Sequence, residues 1–494
     1  MSTSVTAKNL DTIISAGTGT MTIVSLMTLS TTNQHLTITS DDMVLQGNVA
    51  VGQNRLKYAT TSARTIGIGT TTLEVDWDAA EFASVASSGL TIGSGGINKS
   101  IKVVNIHHAI SNNTVGTVTL IATADDSSVQ FITSASTFYG LAAQADNGID
   151  IAVGLTATVG ILYMDADKDD ASDASDKVTV VASVALTAET ILTLEATTGS
   201  IVPAGALSLT AGAGIVVLND MQSTATGASA MVINADQEST GDGTLTLSAG
   251  KTIMSNDSSI VITAWDMDIA GSITAATKPM TIHGAQVDQT IGLGATPKHL
   301  SVSDAELGRM TATGGLTVGS TANGSITVDG LTDGSTGNLG RVVLRATGPS
   351  QLISFASTLS AFNKGVTLQS AGGVVLSASV TTKNLSTTIN PGTGTLTVLT
   401  TMTLSTTNQH MSITSDDIDL IAGAAVSSGT GACLIVNTSP DRTIGLGSTA
   451  KDMQVTDAEL GLFTTGGGLT LGDSNNGSLS IDGVTTSSSD ESHA

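Results

Sequence analysis

Short segments in which apolar and small polar residues alternate recur along the whole chain. Examples are Leu36-Thr-Ile-Thr-Ser40, Leu207-Ser-Leu-Thr-Ala-Gly212 and Val366-Thr-Leu-Gln-Ser-Ala-Gly372. A period of two residues is typical of a strand with one buried and one solvent-facing side. Most of these segments reach a Gly, Asn or Asp within a few residues, where a turn is favoured. Because no helical period persists for more than about one turn, the pattern predicts an all-β protein.

Two long internal repeats account for much of the chain. Residues 1–42 align without a gap with residues 376–417, and about two thirds of the positions are identical. Residues 290–330 align with residues 443–483, and more than half of the positions are identical. Since the first alignment begins at an ordinary repeat position, we expect the chain to be a segment or a mature fragment of a longer array.

The repeat boundaries predict four blocks and a tail. The first block also contains a diverged copy of the 290–330 unit, and the second carries an acidic insertion near 165–177. The tail is Ser-rich and acidic, and we expect it to be disordered. The predicted divisions are 1–103, 104–285, 286–375, 376–484 and the tail 485–494.

Two all-β architectures fit this pattern. One is a tandem of immunoglobulin-like sandwiches, whose usual core Trp, Cys pair and corner Tyr have no shared register here. The other is a right-handed parallel β-solenoid, in which successive coils stack around a narrow core of small branched residues that leaves no room for large rings. The composition favours the solenoid. At roughly 20 residues per coil and about 4.8 Å between coils, it would be an elongated rod of about 25 coils, roughly 120 Å long.

Composition and charge exclude several function classes. The chain has 54 Gly, only 2% aromatic and 12% charged residues, and a net charge of −24. A nucleic-acid partner is excluded, since it calls for clustered Lys and Arg and for aromatic platforms. No apolar run is long and uninterrupted enough to span a bilayer, so we expect no membrane insertion. The single cysteine, Cys433, lies in an apolar run and is expected to be a buried, inert thiol.

The densest cluster of charge lies in the acidic insertion and suggests a metal site. Its spacing partly fits an oxygen-rich calcium loop. It departs from that loop at two places: Asp170 stands where Gly is expected, and Asp176 stands where a bidentate Glu would be. A solvated acidic loop without a metal is the alternative. Calcium is the only cofactor that the sequence indicates, and the candidate ligands are Asp165, Asp167, Asp169, Asp173 and Asp176.

Two further carboxylates recur as a pair in the second repeat. Asp304 and Glu306 reappear as Asp457 and Glu459. They could form an acid/base pair, but a helical turn at a coil corner explains the recurrence better, with Asp304 capping free N–H groups and Glu306 favoured by the turn's dipole. No nucleophile–base arrangement is visible, so we expect the protein not to be an enzyme.

The 290–330 unit resembles repeats of large filamentous haemagglutinin-like surface proteins. The resemblance rests on Thr-Ile-Gly-Leu-Gly, Asp-Ala-Glu-Leu, Gly-Gly-Leu-Thr-Val-Gly and Asn-Gly-Ser-Ile-Thr-Val-Asp-Gly, and on phrases such as Leu-Thr-Leu-Ser-Ala-Gly. It implies a right-handed parallel β-helix, a cell-surface or extracellular location, and adhesive or fibrous roles. The secretion domain of that family has no match in this chain.

Together these features predict a structural segment of an extracellular or cell-surface fibre. Copies of the array would join head to tail through exposed solenoid strands. The alternative is an adhesin stalk that presents a binding tip outside this chain, with surface glycans as possible partners. A polysaccharide-cleaving β-helix enzyme is a third hypothesis, which requires carboxylates gathered with basic and aromatic groups in one groove.

Overall fold

The computed structural model describes residues 1–227 and 230–490. About half of the residues lie in strands, about one in twenty lies in a helix, and the long sheets are parallel. The chain folds as two compact units. The first comprises Met1–Glu238, Asp242–Asn256 and Asp268–Gly271, and the second comprises Ser239–Gly241, Asp257–Met267 and Ser272–Ala494.

Parallel pairing confirms the predicted all-β fold of the parallel β-solenoid class. The alternative of tandem immunoglobulin-like sandwiches is wrong, because the sheets of that fold are antiparallel.

Most of the strands are short. In the segment 1–254, the described residues form twenty-eight strands and two helical turns. Its elements are β1 (Val5–Ala7), β2 (Thr12–Ile23), β3 (Thr28–Thr31), β4 (Leu36–Leu45), β5 (Asn48–Ala50), β6 (Arg55–Ala59), β7 (Ile66–Gly69), β8 (Val75–Trp77), α1 (Ala79–Ala83), β9 (Val85–Ala86), β10 (Gly89–Gly95), β11 (Ile101–Val104), α2 (His108–Ser111), β12 (Thr117–Thr123), β13 (Val129–Ile132), β14 (Ser136–Phe138), β15 (Gly140–Ala145), β16 (Ile149–Ile151), β17 (Leu155–Ala157), β18 (Leu162–Asp165), β19 (Lys177–Val180), β20 (Val184–Ala188), β21 (Ile191–Glu195), β22 (Ser200–Pro203), β23 (Leu207–Ala211), β24 (Gly214–Val217), β25 (Met221–Gln222), β26 (Met231–Asn234), β27 (Thr244–Leu247) and β28 (Thr252–Met254).

The remaining part has three further helical turns. Its elements are β29 (Ile260–Ala264), β30 (Asp266–Ile269), β31 (Ser272–Ala276), β32 (Met280–Gly284), β33 (Ile291–Gly294), β34 (Leu300–Val302), α3 (Asp304–Gly308), β35 (Met310–Ala312), β36 (Leu316–Ser320), β37 (Ile326–Asp329), β38 (Val342–Ala346), β39 (Leu352–Phe355), β40 (Ser360–Phe362), β41 (Val366–Ser370), β42 (Gly373–Leu376), β43 (Val380–Thr382), β44 (Thr387–Val398), β45 (Thr403–Thr406), β46 (Met411–Leu420), β47 (Ala425–Gly429), β48 (Cys433–Val436), β49 (Ile444–Gly447), β50 (Met453–Val455), α4 (Asp457–Leu460), β51 (Phe463–Thr465), β52 (Leu469–Leu471), β53 (Leu479–Asp482) and α5 (Thr486–Asp490).

In each unit, most neighbouring strands of a sheet come from successive coils, and the pairs β7–β8, β33–β34 and β49–β50 form within one repeat unit. The first unit has the orders β1-β3-β5-β9, β2-β4-β6-β10-β12-β15-β18-β21-β24-β27, β8-β7-β11-β13-β16-β19-β22-β25-β28 and β14-β17-β20-β23-β26. The second unit has the orders β29-β32-β36-β38-β41-β44-β46-β48-β52, β34-β33-β37-β39-β42-β44, β31-β35, β40-β43-β45-β47-β51 and β50-β49-β53. Each coil therefore contributes a strand to several faces in turn.

The core of each unit consists of aliphatic side chains stacked in register from coil to coil. One such stack in the first unit is fully buried and follows the strand pairings, and the residues after two of its members, Tyr163 and Thr193, pair with each other on the outer side of their strands. Each stacked aliphatic side chain removed from water contributes roughly 1.5–3 kcal/mol of transfer free energy. The stack consists of Leu141, Leu162, Leu192, Ile215 and Leu245.

The core also holds large rings, which corrects the expectation that only small branched residues would fit. Trp77 and Tyr58 are fully buried, with ring centroids 5.1 Å apart. Trp77 ends β8, a strand that the repeat unit inserts beside β7, and it lies opposite Ile68 there. The buried phenylalanines are Phe82, Phe131, Phe138, Phe355, Phe362 and Phe463.

The coils vary in length, and some are much longer than the expected 20 residues or so. Leu36 pairs with Leu56, twenty positions on, but Leu56 pairs with Leu90, thirty-four positions on, because the α1 turn lies between them. In the predicted disordered tail, Thr486–Asp490 instead forms the short helix α5. The Asp457 carboxylate accepts hydrogen bonds from the backbone N–H (2.8 Å) and the hydroxyl of Thr485, which fixes the start of that helix. Residues 491–494 lie outside the described residues.

Candidate functional site

The recurring Asp/Glu pair forms a capped helical turn, and its capping residue differs from the one predicted. In α3 the cap is Ser303, whose hydroxyl accepts from the N–H of Glu306, while the Glu306 carboxylate accepts from the N–H of Ser303 at 2.8 Å. Thr456 and Glu459 repeat this capping box in α4. In the diverged copy, Asp78 takes the place of the hydroxyl cap.

Asp304, which was expected to cap the turn, has another partner. Its carboxylate accepts hydrogen bonds from the N–H of Thr332 at 2.8 Å and from the Thr332 hydroxyl at 2.9 Å, in the next coil. Since Glu306 is engaged within the turn, the two carboxylates do not form an acid/base pair. The side chain of Asp304 instead ties one coil to the next, as Asp457 does with Thr485.

Carboxylates serve the same linking purpose at other corners. Asp41 accepts from the N–H groups of Thr61 and Ser62, at 3.0 and 2.7 Å. In the aligned corner, Asp416 accepts from the N–H of Ser439 at 2.8 Å. The hydrogen bond from the Ser62 hydroxyl is the main cause of a lowered pKa at Asp41. Part of the acidic excess is therefore structural, because ionised carboxylates satisfy corner N–H groups that belong to a neighbouring coil.

The last coil of the second unit exposes positions that its internal copy buries. Ile326 and Val328 in β37 are 0% exposed, whereas the aligned Leu479 and Ile481 in β53 are 47% and 62% exposed. The reason is that β39 pairs with β37, whereas β53 pairs only with β49 among the described strands. Its outer edge therefore presents unpaired backbone groups together with apolar side chains.

The first coil of the first unit shows the same difference. Val5 in β1 is 43% exposed, whereas the aligned Val380 in β43 is fully buried, because β40 pairs with β43 and lies over it. Ile14 in β2 is partly exposed, whereas the aligned Ile389 in β44 is fully buried. Each terminal coil thus has an apolar edge that the same repeat, placed internally, covers with another coil. We call these two surfaces the end faces: the N-end face is β1 and β2, and the C-end face is β52 and β53.

The predicted calcium ligands lie close together in sequence but have separate partners. Asp165 ends β18, accepts a hydrogen bond from the Tyr163 hydroxyl at 3.1 Å, and lies 3.3 Å from the Lys168 ammonium. Asp167 is fully buried, and one of its oxygens accepts from the N–H of Thr198 at 2.5 Å. Asp169 accepts from the N–H of Ala171 at 3.0 Å. Each of these three carboxylates thus has a partner within the corner, and the second oxygen of Asp167, Oδ1, is buried without a hydrogen-bond partner.

Asp173 is the predicted ligand that joins a group with metal-binding geometry. One carboxylate oxygen from each of Asp125, Asp146 and Asp173 lies within 4.8 Å of the other two, and this is the one such group of three among the residues that the structure describes. Asp125 and Asp146 follow β12 and β15, so they come from two earlier coils. Reasoning from linear spacing missed them, because only the coil register brings them to Asp173. Asp176 adjoins the group, since one of its carboxylate oxygens accepts from the N–H of Asp173.

Burial and neighbouring negative charges raise the pKa values of two carboxyl groups in this corner. Burial, followed by the charge of Asp169, raises the pKa of Asp146 to about 6, and Asp173 and Asp125 add to the rise. Burial, followed by the Glu195 charge, also raises the pKa of Asp165. We call the residues 125–126, 146–147 and 165–177 the acidic corner.

Tyr163, Asp165, Lys168 and Glu195 bring aromatic, acidic and basic groups together, as the polysaccharide-cleaving hypothesis requires. However, Asp165 is buried, and the Tyr163 hydroxyl donates to a carboxylate within the cluster. Burial, followed by the hydrogen bond to Glu195, raises the pKa of Tyr163. The phenol therefore stays protonated near neutral pH and does not act as a general base there. The cluster satisfies its own hydrogen bonds.

Comparisons with known proteins do not identify the chain: no family model, no curated protein and no solved structure matches it. The part of the chain that the structure describes contains no helix with the length and apolar character needed to cross a bilayer. The single thiol, Cys433, is buried as expected, and burial raises its pKa to about 12.

Proposed function

We propose that the protein is a structural segment of an extracellular or cell-surface fibre, in which copies join end to end through their end faces. The observation that carries the proposal is the difference in exposure between aligned positions. Leu479 and Ile481 are exposed at the C-end face, while Ile326 and Val328 are buried in the internal copy. A repeat that buries these positions internally has the sequence needed to bury them against another coil.

The internal copies also supply a template for the junction. At β44, the aligned counterpart of β2, the preceding coil contributes β41 and β42, with Leu368 opposite Ile389. By alignment, β52 of one copy would pair with β2 of the next, with Leu471 opposite Ile14. Main-chain hydrogen bonds of this kind supply affinity, and the alternate apolar side chains fix the register.

The proposal also accounts for the edges themselves. An exposed parallel edge with apolar side chains is a template for pairing with another chain, and proteins that stay monomeric usually block such edges. The N-end face exposes Val5 and Ile13, and the C-end face exposes Leu479 and Ile481. The extracellular location rests on the resemblance to filamentous haemagglutinin-like repeats.

Electron microscopy of the purified chain tests the proposal. We expect unbranched fibres for the natural sequence and short particles for Ile481→Asp, which places a charge on the C-end face. Val159→Asp is the matched control, because Val159 is 54% exposed and belongs to neither end face. The control should form fibres as the natural sequence does. Discrete particles from the natural sequence would contradict end-to-end joining and favour the adhesin stalk.

A further inference from the structure

A groove crosses the outer face of the first unit between β6 and β18. Its volume is about 410 Å³. Three coils form its floor, because β10, β12 and β15 lie side by side in register between those two strands. With about 4.8 Å between neighbouring strands, the distance from β6 to β18 is roughly 19 Å. The groove is therefore long enough for an extended ligand that runs across several coils.

The groove is concave because small residues occupy the solvent side of its floor. Two register rows cross the three strands, with Gly89, Thr117 and Gly140 in one row and Thr91, Thr119 and Ala142 in the other. Larger side chains stand at the two ends, Arg55 on β6 and Ile161 just before β18. The register of the coils thus brings a basic group and an apolar group to opposite ends of one groove.

The polar side chains that line the groove have no partner within the described chain. Hydroxyl groups on other outer faces can pair from coil to coil, as Thr6 does with Ser30 at 2.9 Å and Thr381 with Ser405 at 3.1 Å. In the groove, the side chains that make no hydrogen bond to any residue that the structure describes are Arg55, Ser88, Thr91, Thr117 and Thr119. Their donors and acceptors are therefore available to a ligand.

The β6 end of the groove is basic, although the chain carries a net charge of −24. Arg55 and Lys57 lie two positions apart in β6, so both project from its exposed side. Neither of them pairs with a carboxylate among the described residues, whereas the next basic residue, Arg64, pairs with Asp41 and Glu74. A free guanidinium offers a planar fork of donors that matches a carboxylate. The charge of the groove therefore complements an anionic ligand.

The floor favours a carbohydrate over a peptide. β10, β12 and β15 are each paired on both sides, so their backbone groups are engaged and offer no edge to which an extended peptide can add. What remains for a ligand is rows of hydroxyl groups, each of which both donates and accepts hydrogen bonds. The hydroxyl groups of a sugar chain have the same dual capacity. An oligosaccharide with carboxylates thus matches both the floor and the basic end.

We propose that this groove binds an extended oligosaccharide that carries carboxylate groups. Arg55 pairs with a carboxylate, the hydroxyl groups of the two rows bond to the sugar hydroxyl groups, and Ile161 provides an apolar contact at the far end. The proposal goes beyond the fibre and does not depend on it. All residues that line the groove belong to the first unit and none belongs to an end face, so a single chain contains the whole site.

Isothermal titration of tetragalacturonate and of a hyaluronan tetrasaccharide into the full chain tests the site. The Ile481→Asp background is used throughout, so that assembly contributes neither heat nor multivalent binding. Arg55→Gln is the informative variant. Lys99→Gln is its control, because Lys99 is exposed, carries the same charge and does not line the groove.

A second variant, Thr119→Tyr, fills the floor without changing the charge. Tyr163 stands in the same register row two strands further on, so the fold accepts a ring at this outer position. Thermal unfolding shows whether each variant is folded. Maltotetraose, which has hydroxyl groups but no carboxylate, and tetraglutamate, which has carboxylates but no sugar, are the control ligands.

We expect saturable binding of at least one of the two acidic oligosaccharides. Arg55→Gln should weaken it about tenfold, as the loss of one charged hydrogen-bonded pair does, Thr119→Tyr should abolish it, and Lys99→Gln should leave it unchanged. Both control ligands should bind about tenfold more weakly or not at all. Three results would overturn the proposal: no saturable binding of either acidic oligosaccharide, equal affinities for Arg55→Gln and Lys99→Gln, or a control ligand that binds as tightly. Fibre formation can fail without affecting this result.

Discussion

Residues 290–330 and 443–483 form the same elements from closely similar sequences but differ in what covers them. Both copies have two paired strands, a capped helical turn and three further strands. In the internal copy, β38 and β39 pair with β36 and β37 and complete the burial. In the terminal copy, no described strand covers β52 and β53. The repeat sequence therefore determines which strands and turns a coil forms, whereas a neighbouring coil determines whether its apolar side chains are buried.

The largest expected difference between the two copies is in the free energy of unfolding that is lost when aligned apolar side chains are truncated to Ala. Ile326→Ala should destabilise the protein by about 2–5 kcal/mol, because it leaves a cavity between two coils. Leu479→Ala in the unassembled protein should cost less than about 1 kcal/mol, because Leu479 is already half exposed. Urea unfolding followed by circular dichroism measures both. Equal losses of unfolding free energy in the two variants would contradict the difference in burial between Ile326 and Leu479.

The aligned carboxylates Asp304 and Asp457, which link α3 and α4 to the segment that follows, allow a second comparison of the two copies. Asp304→Ala removes a link between two coils and should cost about 1–2 kcal/mol. Asp457→Ala removes a link to the short helix α5 only, and should lower the global free energy of unfolding less than Asp304→Ala does. Hydrogen exchange should show faster exchange at Thr485–Asp490 in the second variant. A large global loss from Asp457→Ala would contradict this difference.

The Asp457 link should also depend on pH. The hydrogen bond from the Thr485 N–H is the main cause of a lowered pKa at Asp457. A lowered folded-state pKa means that the link contributes stability above the ordinary aspartate pKa and loses it as the pH falls through the folded value. Hydrogen exchange at Thr485–Asp490 should therefore rise at acidic pH relative to the intrinsic rate. The Asp457→Asn variant should show no such pH-dependent step.

The caps give a case in which the two copies should not differ. Ser303→Ala and Thr456→Ala each remove a hydroxyl that accepts from an N–H of its own turn. Each should cost about 1 kcal/mol, since the capping bond does not involve the next coil. Thermal unfolding of the two variants, measured in the unassembled protein, checks this expectation. A clear difference would mean that the neighbouring coil also supports the turn.

The smallest effect concerns the thiol beneath the last coil. Cys433 lies opposite Leu469 of β52, and burial raises its pKa to about 12. We expect a thiol reagent to react with it slowly in the native protein at neutral pH, and several-fold faster in Leu469→Asp, because that change loosens β52. The internal substitution Thr317→Asp, on the solvent side of β36, is the control and should leave the rate unchanged. Rapid reaction in the natural sequence would show that the last coil is open.

Much of the fold was predictable, because period-two alternation and internal repeats are local signals. The helical turn at Asp-Ala-Glu-Leu was also predictable, and the structure assigns its cap to the preceding Ser303 or Thr456. The buried rings were not predictable, since a contact such as that between Tyr58 and Trp77 depends on how separate strands pack together.

The acidic corner shows why the site was only partly predictable. The density of aspartates in the insertion predicted five ligands, of which Asp173 belongs to the group of three carboxylates that the structure brings together. Asp125 and Asp146 carry no such signal, because their approach depends on coil lengths and on the register of β12 with β15. Unequal coil lengths hide that register in the sequence.

A mixing experiment tests end-to-end joining most directly. Ile481→Asp blocks the C-end face and leaves the N-end face intact, whereas Ile14→Asp does the reverse. Each variant alone should remain monomeric. An equal mixture should form heterodimers and nothing larger, because only one compatible junction is left, and mass photometry can count them. Fibres from either variant alone, or no dimers in the mixture, would contradict the account.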